Sequence, residues 1–342
     1  MPPPRQPSST VPIEMQVGRK ITLLAVFAFL VIIAFVSSLM NGSVDISPLQ
    51  VLSMLGIGSE AVDETKQQIL QNIRLPRTIV AMLVGVNLSL SGAILQAVMK
   101  NPLADPHTIG ISSGAGLFGI FVMLVKGDAG GLVTPAAFVG AMLAAFLIYI
   151  LAWKDGLRPI RVILAGVAVS AFLGAGISAM LIFYSDKVHS ALLWMVGGLS
   201  ARSWNHVEIL YPYTIIGAVL TFLSARHLNI LQLGDEIAKG LGLRVDLVRS
   251  LLTAVAALLA ASAVCVVGLL GFVGLIIPHT ARLLIGSDYR FLLPAAALLG
   301  AAVLTISDTF ARTIFSPTEL PVGILMAILG APFFLFLLRR EL

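Results

Sequence analysis

The sequence predicts an all-α polytopic membrane protein of about ten transmembrane helices. Three observations carry that prediction. Apolar residues make up 58% of the 342-residue chain and charged residues only 11%, against about 25% charged in soluble domains. Apolar runs long enough to cross a bilayer recur from residue 21 to the end. Basic residues cluster in alternate connections between those runs, as orientation in a membrane requires. The net charge of +5 is scattered among apolar runs, so it does not describe a nucleic-acid face. Cys265 is the single cysteine, so neither an intramolecular disulfide nor a thiolate cluster can form.

Residues 1–20 are a basic, proline-rich lead-in with Pro2, Pro3, Pro4, Pro7, Pro12, Arg19 and Lys20. Residues 21–342 read as one transmembrane unit. Ile21 to Met40 is an apolar stretch long enough for about 30 Å of hydrocarbon. It exceeds the apolar core of a secretory signal, and SSLMNGS is a poor cleavage site, so it reads as an uncleaved first span. In the polar segment 41–74, Ser47-Pro48 starts a short helix with Leu49, Leu52 and Leu55 on one side and Gly56 as its stop.

The remaining spans are expected at Pro76–Met99, Thr108–Val125, Leu132–Trp153, Arg161–Tyr184 and Val207–Ala225. They continue at Ser250–Leu270, Gly271–Ile285, Phe291–Ala311 and Pro321–Leu338. The eighth is short and interrupted by glycine and proline. With both termini in the cytoplasm, 15 Lys and Arg fall inside and 7 outside, which satisfies the positive-inside rule. Spans two to five and seven to ten then start from opposite faces, the plan of an inverted repeat.

The charged interruption at 225–249, ARHLNILQLGDEIAKGLGLRVDLVR, divides those two sets. Asp235 is placed to cap a short helix, with Glu236 in its positive first turn. Ile237 and Leu241 share one face, Ala238 lies between them, and Gly240 and Gly242 let the chain stop and turn. The residues alone allow either an ordinary interfacial loop or a docking element that receives force from a soluble partner.

Other polar residues stay equally open. Asn87, Ser89, Ser91 and Gln96 lie on the second span, His279 follows Pro278 in the eighth, and Asp308 lies near the outer end of the ninth. An intramembrane ionisable group is a functional candidate, yet a histidine beside proline also suits backbone carbonyls freed by the ring. The abundant glycines, as in GISSGAGLFG (110–119), serve either helix packing or a pore lining. No lysine is followed by Ser or Thr, so the phosphate-cradling GxxxxGK[ST] loop is absent, as is HExxH. Uphill transport would then draw on a partner or an ion gradient. A chain of buried Asp, Glu and His for an ion-coupled carrier is missing, and so is a constellation for a membrane enzyme.

Three blocks identify a family resemblance. RLPRTIVAMLVGVNLSLSGAILQAVMKNPLADPHTIGISSGAG from Arg74, GLLGFVGLIIPHTARLLIGSDYRFLLPAAALLGAAVLTISDTFAR (268–312) and the tail ELPVGILMAILGAPFFLFLLRR resemble the FecCD-type permeases. These are membrane subunits of ABC importers for iron–siderophore complexes, haem and cobalamin. The resemblance implies a type II ABC importer permease fold in a bacterial cell membrane and two permeases, identical or paralogous, around one path. Two ATP-binding cassette subunits would dock from the cytoplasm, and a substrate-binding lipoprotein or periplasmic protein from outside. No catalytic residue, metal or cofactor is implied, and ferric siderophore is the expected cargo, with haem and cobalamin as alternatives.

Residue by residue, Asp235, Glu236, Ile237, Ala238, Gly240, Leu241 and Gly242 match the family's ATPase-coupling region. Arg74, Arg77 and Arg312 match the positions that dock the binding protein through salt bridges. Snorkelling to the interface is the other reading of those arginines.

Overall fold

The computed structural model describes residues 13–42, 44–54, 63–107, 110–126, 131–154 and 156–341. Most of the proline-rich lead-in, Leu55, Gly56 and Thr108 lie outside them. The chain opens with α1 (Ile13–Met40), α2 (Pro48–Met54) and α3 (Glu64–Ile69), which runs through a π-helical turn (Leu70–Arg74) into α4 (Leu75–Val98). It continues with α5 (Ile111–Lys126), α6 (Val133–Ala152), α7 (Pro159–Phe183), α8 (Val188–Val196) and α9 (Trp204–Leu223). Then come α10 (Ala225–Gln232), α11 (Asp235–Gly240), α12 (Val245–Val267), α13 (Val273–Ile285), α14 (Tyr289–Thr313) and α15 (Val322–Glu341).

Ten of these correspond to the ten expected spans. Seven are long and apolar enough to cross a membrane: α1, α3–α4 taken together, α6, α7, α9, α12 and α14. Helices α5, α13 and α15 are apolar but shorter. At 13 residues α13 rises only about 20 Å, because the non-helical 268–272 segment replaces its first turns. Gly268 (φ +83°) and Phe272 (φ +67°) both take backbone conformations that end a helix there. Helices α8 and α10 fall where the sequence offered only connections.

Local chemistry accounts for several boundaries. Ser47 Oγ accepts the Gln50 amide at 3.1 Å while Gln50 Oε1 accepts the Ser47 amide at 3.1 Å, a reciprocal box that starts α2. The leucine stripe expected on α2 faces outward, with Leu49 and Leu52 exposed. Val51 is the residue that packs, in a small cluster with Leu39, Ile46 and Leu70.

Helices α4, α12 and α14 form the centre: 78%, 67% and 72% of their most apolar stretches are buried, against 22% for α1 and α7. Burial there requires small residues. Gly85 of α4 and Gly300 of α14 meet backbone to backbone, and a methyl group on either would collide with the other's carbonyl. Polar side chains stitch the same helices, where apolar burial alone gives little association. Asn87 Nδ2 donates to Ser262 Oγ at 3.1 Å, Ser91 Oγ to the Ala256 carbonyl at 2.7 Å, and Gln96 Nε2 to the Leu275 carbonyl at 3.2 Å. These groups join α4 to α12 and α13.

The packing has an internal symmetry. Exchanging α4, α5, α6 and α7 for α12, α13, α14 and α15 maps the α4–α14 contact onto α12–α6, and α4–α13 onto α12–α5. The α5–α6, α5–α7 and α6–α7 contacts map onto α13–α14, α13–α15 and α14–α15. This is the pairing an inverted repeat of spans two to five and seven to ten requires. Helix α1 packs on α14, and α9 lies against α4 and α12.

Candidate functional sites at the two ends of the bundle

Arg77 and Lys100 stand at opposite ends of α4, about 35 Å apart at 1.5 Å per residue. Each belongs to one of the two sites picked out in the sequence.

At the Lys100 end, α10 and α11 form the elbow. Gly234 (φ +105°) precedes α11 and occupies the cap position. Asp235 is therefore not the cap expected from sequence; it is the first helical residue, and its carboxylate turns toward the bundle. Lys100 Nζ reaches Asp235 Oδ1 at 2.7 Å and Arg249 Nη2 reaches the same oxygen at 2.9 Å. Burial opposes charge on Asp235, but hydrogen bonds from Lys100 and Arg249 outweigh it and hold the pKa below its ordinary value.

Gly242 (φ +82°) ends the elbow helix. The Leu243 amide bonds to the Ala238 carbonyl at 3.0 Å and the Gly242 amide to the Lys239 carbonyl at 2.9 Å. That pair is the Schellman arrangement, which places glycine where Gly242 stands. Gly240 has no such duty: it is exposed, and a side chain added there would meet nothing within 4 Å.

The elbow has two faces. Ala238 is fully buried against the bundle, whereas Glu236, Lys239 and Gly240 are exposed, with Ile237 55% and Leu241 61% exposed. The inward face gathers the other connections at this end. Arg249 Nη1 donates to the Leu157 carbonyl at 2.8 Å, between α6 and α7. Asn229 of α10 donates to Asp288 at 2.8 Å and accepts the Tyr289 amide at 2.9 Å, at the α13–α14 connection. Gln232 donates to the Tyr289 hydroxyl at 3.1 Å. The elbow region is thus tied to three inter-span connections, α4–α5 through Lys100, α6–α7 through Leu157 and α13–α14 through Asp288 and Tyr289.

At the opposite end, the three arginines are buried: Arg74 is 3%, Arg77 6% and Arg312 7% exposed. Arg74 donates to the carbonyls of Leu39 at 2.8 Å and Met40 at 2.9 Å, and to that of Val44. It thus supplies donors to the otherwise unpaired end of α1. Arg77 makes a fork-to-fork pair with Asp308 at 2.8 and 2.9 Å and binds Glu319 at 2.9 and 3.1 Å. Arg312 Nη2 donates to the Ser38 carbonyl and, at 3.0 Å, to Ser38 Oγ.

Glu319 is the accessible member of this rim, its side chain 41% exposed. It also accepts from Ser200 Oγ at 2.8 Å, and attraction to Arg77 outweighs burial to keep its pKa low. Arg202 joins the same region, its pKa pushed down to about 10 by burial and the neighbouring Arg77. Lys100, Arg249, Glu319 and Ser200 were not singled out from sequence. Their partners lie 135, 14, 242 and 119 positions away, distances no local pattern encodes.

Between the two ends a cleft of about 790 Å³ opens on the surface. Its walls include Met195 and Val196 of α8, Phe272 and Leu275 at the start of α13, and Ile324 and Ile328 of α15. Residues of α8, in the connection after α7, and of α15 line it, and none of α7 does. His279 is buried edge-on to the Phe333 ring at 5.9 Å. Among the described residues, no three His, Cys, Asp or Glu stand together as a metal site.

The model of the FecCD transport family matches residues 30–340. This chain belongs to the FecCD transport family. The FecCD chain is 40% identical to the Fe(3+)-citrate import system permease protein YfmE of Bacillus subtilis, over 94% of this chain and 96% of YfmE. It is 38% identical to the hemin transport system permease protein HmuU of Yersinia pestis, over 92% and 95%. It is 44% identical to the cobalamin import system permease protein BtuC of Halobacterium salinarum, over 81% and 75%. The FecCD fold superposes on a metal-chelate type ABC transporter solved in an inward-facing conformation, with a TM-score of 0.83, 28% identity and coverage of 94% and 99%. It is an all-helical, multi-span ABC permease subunit, and ATP hydrolysis resides in a separate subunit.

Proposed function

We propose that this chain forms half of the membrane path of an importer for metal chelates, with ferric siderophores as the cargo. Relatives named for Fe(3+)-citrate, hemin and cobalamin share one chemical class, a metal wrapped in an organic ligand. The cleft suits such a cargo, because Phe272, Leu275, Ile324 and Ile328 offer apolar walls and no strong grip. The breadth of the matches favours iron over cobalamin: YfmE at 40% and the iron(3+)-hydroxamate permease FhuG at 39% identity align over 94% and 96% of this chain, whereas BtuC at 44% aligns over 81%.

The observation that carries the coupling reading is the elbow. Ile237 and Leu241 are exposed beyond the bundle, while Asp235 and Ala238 on the same short helix are tied into it. A cytoplasmic ATPase subunit gripping the exposed face through Glu236, Ile237, Gly240 and Leu241 would move the inter-span connections. Two such subunits, and a second permease, identical or paralogous, complete the assembly. Both termini then lie in the cytoplasm and the arginine rim faces outward from the cell membrane.

At that rim, a substrate-binding lipoprotein or periplasmic protein docks over Arg74, Arg77 and Arg312. Arg74 and Arg312 act from beneath, fixing the ends of α1 and α14. Arg77 is the one that a partner's carboxylate reaches, by taking the place of half-exposed Glu319.

The test is uptake of radiolabelled ferric citrate and ferric hydroxamate by vesicles holding this chain, its ATPase and its binding protein. ATP-dependent uptake of either supports the reading. Uptake confined to haem or cobalamin overturns the iron assignment, and ATP-independent uptake overturns the coupling.

A further inference from the structure

The α4–α5 connection holds a residue whose backbone and side chain make opposite demands. Helix α4 ends in a Schellman arrangement: the Asn101 amide bonds to the Gln96 carbonyl at 3.1 Å and the Lys100 amide to the Ala97 carbonyl at 3.2 Å. The position that normally takes glycine in this arrangement is Lys100, at φ +49°. A lysine there is strained, because its Cβ crowds the following carbonyl. The ion pair it gains with Asp235 is a poor return in stability, since the side chains are 38% and 40% exposed and solvent screens such pairs. A strained residue held by a weak stabiliser points to a use other than stability.

That use follows from where the connection leads. Five residues past Lys100, Asp105 is buried and accepts hydrogen bonds from the His107 amide at 2.8 Å and from the Leu275 amide in the first turn of α13. Phe272, at the cap position of α13, has no side-chain acceptor, so Asp105 serves that helix end from another segment. The fit has no slack: a Cβ on Gly274 would stand 2.8 Å from Asp105 Oδ2. The stretch between the anchors is stiffened by turns. Asn101 Oδ1 accepts the Leu103 amide at 2.9 Å, and the Ala104 amide bonds to the Asn101 carbonyl at 3.1 Å. Asp105, His107, Phe272 and Leu275 all line the cleft.

We propose that Lys100 is a positioning residue that carries movement of the elbow into the cleft wall, with Asp235 gripping one end of a stiff 100–105 strap and Asp105 fixing the other end to α13. The inference rests on the coupling reading of the elbow and adds the route by which the force reaches the substrate path. It makes stability and transmission separable, because glycine at position 100 relieves the backbone while it removes the ammonium.

The experiment uses the complete transporter in vesicles, with Cys265→Ser to remove the single native thiol and Gly271→Cys carrying a nitroxide. Position 271 lines the cleft, and a side chain there meets nothing within 4 Å. The readout is the change in nitroxide spectrum on ATP addition, beside ATP hydrolysis and melting temperature. Lys100→Gly is expected to melt at or above the parent temperature and still hydrolyse ATP. Its nitroxide response should fall by about tenfold, the scale of a lost site-to-site coupling, and Lys100→Arg should keep the response.

A full response in Lys100→Gly overturns the proposal. So does a lower melting temperature in that variant, which would make the pair a stabiliser, or an equal loss in Lys100→Arg, which would assign the effect to packing. Absence of any ATP response in the parent complex, with hydrolysis intact, is a different result: it sinks the coupling reading itself.

Discussion

Arg77 and Asp308 face each other through two parallel hydrogen bonds of 2.8 and 2.9 Å, joining the start of α4 to the end of α14 across 231 positions of sequence. Both side chains are nearly inaccessible, at 7% and 2%. Removing one partner would leave a buried charge uncompensated, which costs roughly 3–5 kcal/mol. Arg77→Ala and Asp308→Ala are each expected to lower the melting temperature of the detergent-solubilised protein sharply. The Arg77→Met, Asp308→Leu double variant should recover most of the loss. Equal loss in all three would show that packing, not charge, dominates.

Glu319 offers the opposite case. Its carboxylate is part-exposed and shares Arg77 with Asp308, so Glu319→Gln should change stability by less than about 1 kcal/mol. If a docking carboxylate competes for Arg77, the glutamine variant binds the substrate-binding protein more tightly and with a steeper dependence on salt. Titration of detergent-solubilised transporter with that protein at two ionic strengths gives both quantities; an unchanged affinity removes Arg77 from the docking surface.

The two elbow glycines should separate. Gly242→Ala forces a side chain into φ +82° and should cost about 1 kcal/mol in local stability. Gly240 faces open space, so Gly240→Trp together with Glu236→Lys should leave insertion and melting unchanged while ATP hydrolysis no longer drives uptake. Unimpaired uptake in that double variant would count against the exposed face as a docking surface.

The Asp235 clasp also fixes a pH expectation. The folded pKa lies below the ordinary 3.8, against burial, because Lys100 and Arg249 bond to the charged form. A depressed carboxylate contributes its stability above the unfolded value, and loses it as pH falls from about 3.8 through the lower folded value. Coupled uptake should therefore show no step from Asp235 between pH 5 and 8. A step in that range that vanishes in Asp235→Asn would contradict the geometry.

Much of this architecture was legible beforehand, for a physical reason. Crossing hydrocarbon demands length and apolar composition, and both are written locally, so α6, α7, α9, α12 and α14 emerge with boundaries off by at most five residues, while α1 starts eight residues before its expected Ile21. The helical break around Asp235 to Gly242 was also visible, since Gly242 at a helix end is a local signal. Long-range pairing was not. Asp235 looked like a cap because its neighbours suit one; only folding brings Lys100 and Arg249 to its carboxylate. Arg74, Arg77 and Arg312 looked like surface charges at span ends. Their acceptors on α1, α14 and the 314–321 segment lie dozens to hundreds of positions away, beyond any periodicity.

The central claim is that this chain moves cargo only when a nucleotide-hydrolysing partner works its elbow. Vesicles holding the purified chain alone, with an imposed proton or sodium gradient and radiolabelled ferric citrate outside, test it most directly. The account predicts no accumulation until the ATPase, the binding protein and ATP are supplied together. Concentrative uptake by the chain alone would contradict it.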